Sequence, residues 1–466
     1  MKMKIYNNKN ILIIFISLWC AIEFIISPYP YYGKEHSVFP TIGIGGLHFD
    51  LSELLIYSFI GFGLFLIYIK FLKTKSLKIT LGYGYHKYLV LSFITVLLAS
   101  MAIGYLNRGS EFMTMIRVHA ILLVFFIFMN IYNVKNIISF IVKIVYWTGI
   151  IEVLIYLLSL VGLPLWTITI YPDKLSYIGY AWYGLYLSIF SYALLLNKII
   201  IGKKISILEY IFIFLILLAV IINISAKPIV LGMFIVTFTT FLFYFKNNIK
   251  RVKIGIISMF IVFSPVFIYQ AMNDEQKTLL IYTFSIRFLK LPAYSWSDVI
   301  DNFSHLQASG GKDISAGRFE LWRGYIKDVA DTPIVSDNYG HKHWTYLTAI
   351  GRKIDYPAHN SIAHYTYYAG YIAGISLVLM ILYFIRGTFK YKNRLIYYII
   401  AKKYNLQEYE FYGILAFIYA IIGNEMVGGL LSNGKFSWFW WLLVVFVLKV
   451  ISESRSINNE HYNRLR

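Results

Sequence analysis

The chain has 466 residues, 59% of them hydrophobic and 14% charged, with a mean hydropathy of +0.64. A soluble protein of this size would be roughly a quarter charged, so composition excludes that class along with disordered and disulfide-rich secreted chains. The formal charge of +20 would suggest nucleic acid in a soluble protein, but the basic residues here fall between long apolar runs, which indicates a polytopic membrane protein.

A bilayer-spanning helix needs about 20 apolar residues, because lipid cannot hydrogen-bond an exposed backbone. In chain order, spans are expected near 11–27, 51–69, 88–104, 116–132, 137–161 and 178–196. Further spans are expected near 207–224, 229–245, 254–271, 361–385, 411–428 and 437–451, making about twelve. The first run leads into Pro28-Tyr29-Pro30 with no small-residue cleavage site, so it is expected to be retained as a span. Cys20, the single cysteine, leaves no intramolecular disulfide or Cys metal cluster.

The distribution of Lys and Arg sets the orientation. With the N-terminus inside and the sides alternating, the inner segments hold Lys2, Lys4, Lys9, Lys70, Lys73, Lys75, Lys78, Lys87 and Lys135. They also hold Lys198, Lys203, Lys204, the group Lys246 to Lys253, and the group Arg386 to Lys403. The short outer loops hold only Lys34, Arg108, Lys174 and Lys435. This asymmetry is what the positive-inside rule predicts, with both termini cytoplasmic.

The expected organisation is therefore an all-α polytopic membrane protein in four parts. Residues 1–271 carry spans 1–9, 272–360 form a large outer loop with interfacial helices, 361–452 carry spans 10–12, and 453–466 form a cytoplasmic tail. The large loop holds ten acids and ten bases, so the whole +20 lies outside it. A loop of this length is usually functional or disordered, and its tryptophans (Trp296, Trp322, Trp344) and periodic structure favour function. No internal repeat of the kind that marks inverted-repeat transporters is visible.

Three constellations could carry chemistry. In Gly317 to Val329, a helical wheel at about 100° per residue puts Leu321, Trp322, Tyr325 and Val329 on one face, with Arg318 along it and Glu320, Arg323 and Lys327 opposite. Arg318 then either snorkels from an interfacial helix or projects into a cavity as a fixed cation shaped for phosphate. Asp331-Thr332-Pro333 ends the helix.

The second is Pro357-Ala358-His359-Asn360-Ser361, at the mouth of the tenth span. His359 is either a loop residue beside a helix capped by Asn360 or Ser361, or a group that exchanges a proton with a hydroxyl or a phosphate. Gly370 to Gly374 reads as close helix packing. The third is Ser225-Ala226-Lys227-Pro228, a short link in which Lys227 either snorkels to headgroups or aims a second cation at an anionic ligand. Arg108, Arg117 and Glu425 lie near outer ends as candidates for pairing, and Glu152 is a costly charge inside the fifth span.

His341, His343, His359 and His364 match no strong metal-ligand spacing, and the large loop has no Asp-x-Asp pair, Walker loop or dinucleotide fingerprint.

Together these pieces resemble the O-antigen polymerase and O-antigen ligase superfamily of bacterial inner membranes. The likeness in architecture covers most of the chain. Its specific part runs from Gly317 to Gly374: a Gly-Arg-x-x-x-Trp helix, a Thr-Pro turn, Gly340, and a Pro-x-His-Asn segment entering a Gly-rich span. The family's upstream Ser-Arg pair is replaced here by Ser225-Ala226-Lys227, which keeps the charge but changes the residue and spacing.

The resemblance implies a metal-independent, cofactor-free glycosyltransferase with a fold similar to the multispanning C-type enzymes. It would sit in the bacterial inner membrane with its large loop in the periplasm. Donor and acceptor would be undecaprenyl-pyrophosphate-linked oligosaccharides, with a chain-length regulator and a flippase as partners and no nucleic acid. On this resemblance Arg318 and His359 are catalytic, Arg318, Lys227 and Arg323 bind pyrophosphate, and Asn360, Trp322, Glu425 and Arg117 support them. Polymerase is preferred to ligase because the outer segments carry Tyr and Trp without an added basic patch for a phosphorylated lipid A core. A flippase of lipid-linked sugar is disfavoured because the apolar runs hold few polar groups at mid-span.

Overall fold

The apolar runs fold as helices because a helix satisfies its own peptide groups where lipid offers no partner. A computed structural model of the protein describes residues 8–22, 42–44, 47–49, 51–75, 86–108, 138–160, 185–222, 227–244, 255, 269–270, 272–288, 293–301, 322, 324–327, 334–336, 344–347, 353–356, 360–391, 404–428 and 437–464. The first helices are α1 (Asn8–Cys20), α2 (Leu51–Thr74), α3 (His86–Arg108), α4 (Ile138–Leu160), α5 (Tyr186–Ile201), α6 (Ile207–Ile222) and α7 (Lys227–Tyr244). Then come α8 (Asp274–Phe288), α9 (Ser361–Ala369), α10 (Tyr371–Tyr391), α11 (Glu408–Gly428) and α12 (Ser437–Arg464). Two small antiparallel hairpins interrupt the helical chain: β1 (Ile42–Ile44) with β2 (Leu47–Phe49), and β3 (Trp344–Leu347) with β4 (Lys353–Tyr356).

Among the described residues, four helices are long and apolar enough to cross a bilayer: Leu54–Thr74, His86–Leu106, Ile138–Leu158 and Tyr371–Phe389. Shorter apolar helices cover Tyr186–Ile201, Ile207–Ile222, Ile229–Tyr244 and Phe439–Ser452. The apolar runs 51–69, 88–104 and 137–161 thus appear as α2, α3 and α4, while the expected span at 116–132 and most of that at 254–271 lie outside the described residues. Within the run 178–196 the described helix begins at Tyr186, after Leu185 as its N-cap, and the run 361–385 is split in two at Gly370.

The helices pack in alternating directions. Residue numbers fall along α10 as they rise along α3: Ser92 pairs with Ser376, and the His86 ring lies 5.9 Å from that of Tyr383. In the same way α4 opposes α5, through Tyr146 with Ser191 and Glu152 with Ser188. α11 opposes α12, through Phe417 with Phe439 and Phe411 with Phe446. α5 and α7 run parallel, joined by Tyr192 with Thr237 and Asn197 with Thr240. α7 opposes α11, with Phe243 near Tyr412 at one end and Gly232 near Asn424 at the other. Phe243 also meets Phe389, so the C-terminal ends of α7 and α10 lie together.

α5 is the hub, buried on every face from Tyr186 to Asn197, as expected for a helix enclosed by others. Its partners approach closely because small residues face it. A β-carbon on Gly149 of α4 would stand 2.3 Å from the Leu187 carbonyl oxygen. Close backbone approach matters here because, within lipid, van der Waals packing and hydrogen bonds hold helices together and apolar transfer does not.

Helix starts are set by reciprocal caps. Glu209 at the start of α6 accepts the Ser206 N–H at 3.0 Å while Ser206 Oγ accepts the Glu209 N–H at 3.2 Å, a capping box. Asp298 and Ser295 repeat the pattern in the long polar segment. Hydrogen bonds from the Tyr294 backbone and from Ser295 hold the Asp298 carboxyl below its usual range. Beside this turn, Ile281 of α8, Ala293 and Val299 form a small core of their own.

Candidate functional site

The break between α9 and α10 organises one end of the bundle. Gly370 adopts φ +97°, and a β-carbon there would stand 2.6 Å from the Ile334 carbonyl oxygen. Glycine alone tolerates both the left-handed backbone and the close approach. Gly374, one turn on, lets α9 lie against α10, because a β-carbon would overlap Thr366 Oγ1. The Gly370 to Gly374 pattern therefore packs a folded-back helix pair, where a single continuous span was expected.

Breaking a helix frees carbonyls that would otherwise accept bonds four residues on. Two serines answer them. Ser336 Oγ donates to Tyr367 O at 2.7 Å, and Ser100 Oγ, on α3, reaches Tyr368 O at 2.8 Å and also touches the Ser336 carbonyl. Three elements at the break, α3, α9 and the 334–336 segment, are thus fastened by side chain to backbone contacts. Sequence reasoning passed over both serines, because Ser100 barely alters the hydropathy of its apolar run and Ser336 is one polar residue among many in the long polar segment.

Tyr325 and Ile326, which follow the Gly-Arg-x-x-x-Trp pattern in sequence, dock at this same break. Tyr325 is fully buried, with its ring 4.7 Å from that of Tyr367 in an edge-to-face contact. Trp322 packs against the main core, Lys327 is exposed, and Tyr371 Oη donates to Ile326 O at 3.3 Å. These placements follow the wheel, with its aromatic face inward and Lys327 outward. Asn360 caps α9, its Oδ1 accepting the Ala363 N–H at 2.9 Å. Tyr325 therefore joins the first motif to the helix that follows the second.

A second polar group lies deeper. Glu152 is fully buried in α4, and its Oε2 accepts the Ser188 N–H of the first turn of α5 at 3.1 Å. The carboxyl group so caps the positive end of a helix that starts beside it. Its Oε1 finds no partner among the described residues. Asn424 of α11 is also fully buried, and neither atom of its amide is hydrogen-bonded among the described residues. With Asn197 and Thr240 these groups make the bundle interior more polar than the sparse mid-span polar residues led us to expect. Asn424, the neighbour of the flagged Glu425, carried a signal that sequence reasoning missed.

Of the predicted site residues, Asn360 caps α9, and Trp322 packs against the main core a few residues before Tyr325, which meets Tyr367 of α9. Lys227 opens α7, and Glu425 lies in the last turn of α11. The pairing of Gly232 with Asn424 and of Phe243 with Phe389 puts both positions at the α9 end of the bundle. Arg117, Arg318, Arg323 and His359 lie outside the described residues. Among the histidines weighed as zinc ligands, His364 is described, and its ring lies 4.5 Å from that of Tyr368. No protein-family model matches the chain, and no curated protein matches it.

Proposed function

We propose that the protein is an O-antigen-type polysaccharide polymerase, a glycosyltransferase that moves a growing undecaprenyl-pyrophosphate-linked glycan onto a new lipid-linked repeat at the periplasmic face. The observation that carries this reading is the Tyr325–Tyr367 contact. It joins the Trp322 to Lys327 turn, four residues after Arg318 in sequence, to the helix capped by Asn360, which follows His359 directly.

In this reading the acceptor hydroxyl oxygen attacks the anomeric carbon of the donor. The bond from that carbon to the pyrophosphate oxygen breaks, and undecaprenyl pyrophosphate leaves with the electron pair. His359 takes the hydroxyl proton or contacts a phosphate. Arg318, with Lys227 and Arg323, meets the negative charge that grows on the leaving group, and fixed cations there lower the barrier more than a strong acid would. Trp322, Asn360, Glu425 and Arg117 hold the surroundings.

The full topology belongs to the same proposal: about twelve spans in the inner membrane, both termini cytoplasmic, and 272–360 outside. Helix directions support it. Traced through their packed neighbours, α3 and α4 run the same way, as do α7 and α10. Each pair therefore needs a return crossing between its members, and the apolar runs 116–132 and 254–271 each supply one.

The buried Glu152 and Asn424 favour a second reading, a flippase for the same lipid-linked sugar, since transport requires polar groups inside the bundle. A deletion strain separates the two. A surface core bearing a single repeat means polymerase. Loss of all attached glycan means flippase or ligase, and delivery of lipid-linked repeat to the outer face then distinguishes those.

A further inference from the structure

At the end of the bundle opposite α9, the starts of α4, α6 and α11 and the end of α5 enclose a cavity of about 350 Å³. Its polar lining is Lys143, Tyr146, Lys198, Glu209, Tyr409 and Glu410. Two of its four charges are paired with each other: Lys198 Nζ lies 2.5 Å from Glu209 Oε1 and 5.8 Å from the centre of the Tyr409 ring. Glu209 is held further by its capping box with Ser206.

Lys143 and Glu410 are different. They face the same cavity and their charges interact, yet no ion pair within 4.0 Å joins them or ties either to another described residue. Glu410 Oε2 accepts the Gln407 N–H at 2.7 Å, which fixes the carboxylate in place. The cavity therefore offers a cation and an anion that are not in contact, the anion held by the Gln407 N–H, which is the pattern of a zwitterion in negative.

The rim points to a lipid as the source. Trp147 lines the cavity and is 49% exposed, and Ile207 and Ile211 of the adjoining α6 are 81% and 46% exposed. Apolar side chains in the open at the end of membrane helices face acyl chains, and an aromatic ring at that level is at home beside headgroups. The lining carries two ammonium groups and two carboxylates and so has no net charge, which gives an anionic headgroup no advantage over a zwitterionic one.

We propose that this cavity binds the headgroup of an amine-bearing zwitterionic phospholipid, with its phosphodiester on Lys143, its ammonium on Glu410 and its acyl chains leaving past Trp147. The proposal depends on the helices lying in a membrane and not on the transfer chemistry, since neither charged residue belongs to the site at the α9 end.

The test is native mass spectrometry of the full chain in detergent, titrated separately with phosphatidylethanolamine, phosphatidylcholine and phosphatidylglycerol. Phosphatidylethanolamine is retained best, and Lys143→Ala and Glu410→Gln each weaken its retention about tenfold, the size of one lost charge-assisted contact. Glu410→Gln keeps an oxygen for the Gln407 N–H, so the helix start survives. Equal or better retention of phosphatidylcholine would mean an aromatic cage for a quaternary amine and would overturn the proposal. Equal or better retention of phosphatidylglycerol, or wild-type retention in either variant, overturns it as well. The lipid comparison is made on the wild-type protein and stands whether or not a variant folds.

Discussion

The Ser336 hydroxyl donates to the carbonyl oxygen of Tyr367 at 2.7 Å, tying the long polar segment to the broken helix that follows it. Ser100 makes the matching contact from α3 to Tyr368. The last turn of α9 is therefore held from two directions, by residues far apart in the chain. Removing either hydroxyl leaves a buried carbonyl short of a donor, at a cost of about 1 kcal/mol each. Because Ser100 also touches the Ser336 carbonyl, the paired variant Ser100→Ala with Ser336→Ala is expected to depart from additivity. Thermal unfolding in detergent, run as a double-mutant cycle, measures the coupling.

Gly370→Ala is expected to lower stability by about 1–3 kcal/mol, because a β-carbon there meets both a left-handed backbone and the Ile334 carbonyl. Gly61 supplies the control. Nothing lies within 4 Å of a β-carbon built on it, and alanine in a helix interior is favoured over glycine by roughly 0.5–1 kcal/mol. Gly61→Ala should therefore unfold at or above the wild-type temperature. Equal shifts in the two variants would contradict the packing described at the break.

Glu152 separates a capping role from a charge-carrying one. Glu152→Gln keeps an oxygen for the Ser188 N–H and removes the ionisable group, so its stability should match or exceed that of wild type. Glu152→Leu leaves that N–H unmet and should lose about 1–3 kcal/mol. Polymer formation by Glu152→Gln then bears on function. Wild-type polymer agrees with a structural carboxyl, whereas complete loss in a stably folded variant favours the transport reading.

The sequence revealed helices best where an apolar run is continuous and ends on charge, as at α2, α3 and α4. It was least informative where structure depends on a few atoms. The break at Gly370 lies inside a run with no proline to mark it, and the Ile334 carbonyl that leaves no room for a β-carbon there is remote in sequence. The first turn of α5 meets Glu152 of another helix, again a non-local contact. Both capping boxes, Ser206 with Glu209 and Ser295 with Asp298, were present as Ser-x-x-acid patterns that mark helix starts. Within the candidate site, the cap at Asn360 and the inward face of Trp322 and Tyr325 were legible because both follow from local periodicity. The joining of those two segments was not, because it depends on a tertiary ring contact.

Lys227 tests how far the site extends. It begins α7 at the same end of the bundle as α9, in the place where the resembled family carries a Ser-Arg pair. If it meets the pyrophosphate, Lys227→Ala should raise the substrate concentration needed for half-maximal extension, and Lys227→Arg should restore it. A lysine that only snorkels to headgroups would give wild-type kinetics in both variants.

The central claim is glycan transfer at the α9 end of the bundle, and reconstitution tests it most directly. Purified protein in liposomes is supplied with one undecaprenyl-pyrophosphate-linked repeat, and the products are resolved by length. The account predicts a ladder of longer glycans with release of undecaprenyl pyrophosphate from the wild type. Arg318→Ala and His359→Ala, inserted at wild-type level, should yield the starting repeat alone. A wild-type-length ladder from both variants, or a wild type that moves the repeat across the bilayer without lengthening it, would contradict the account.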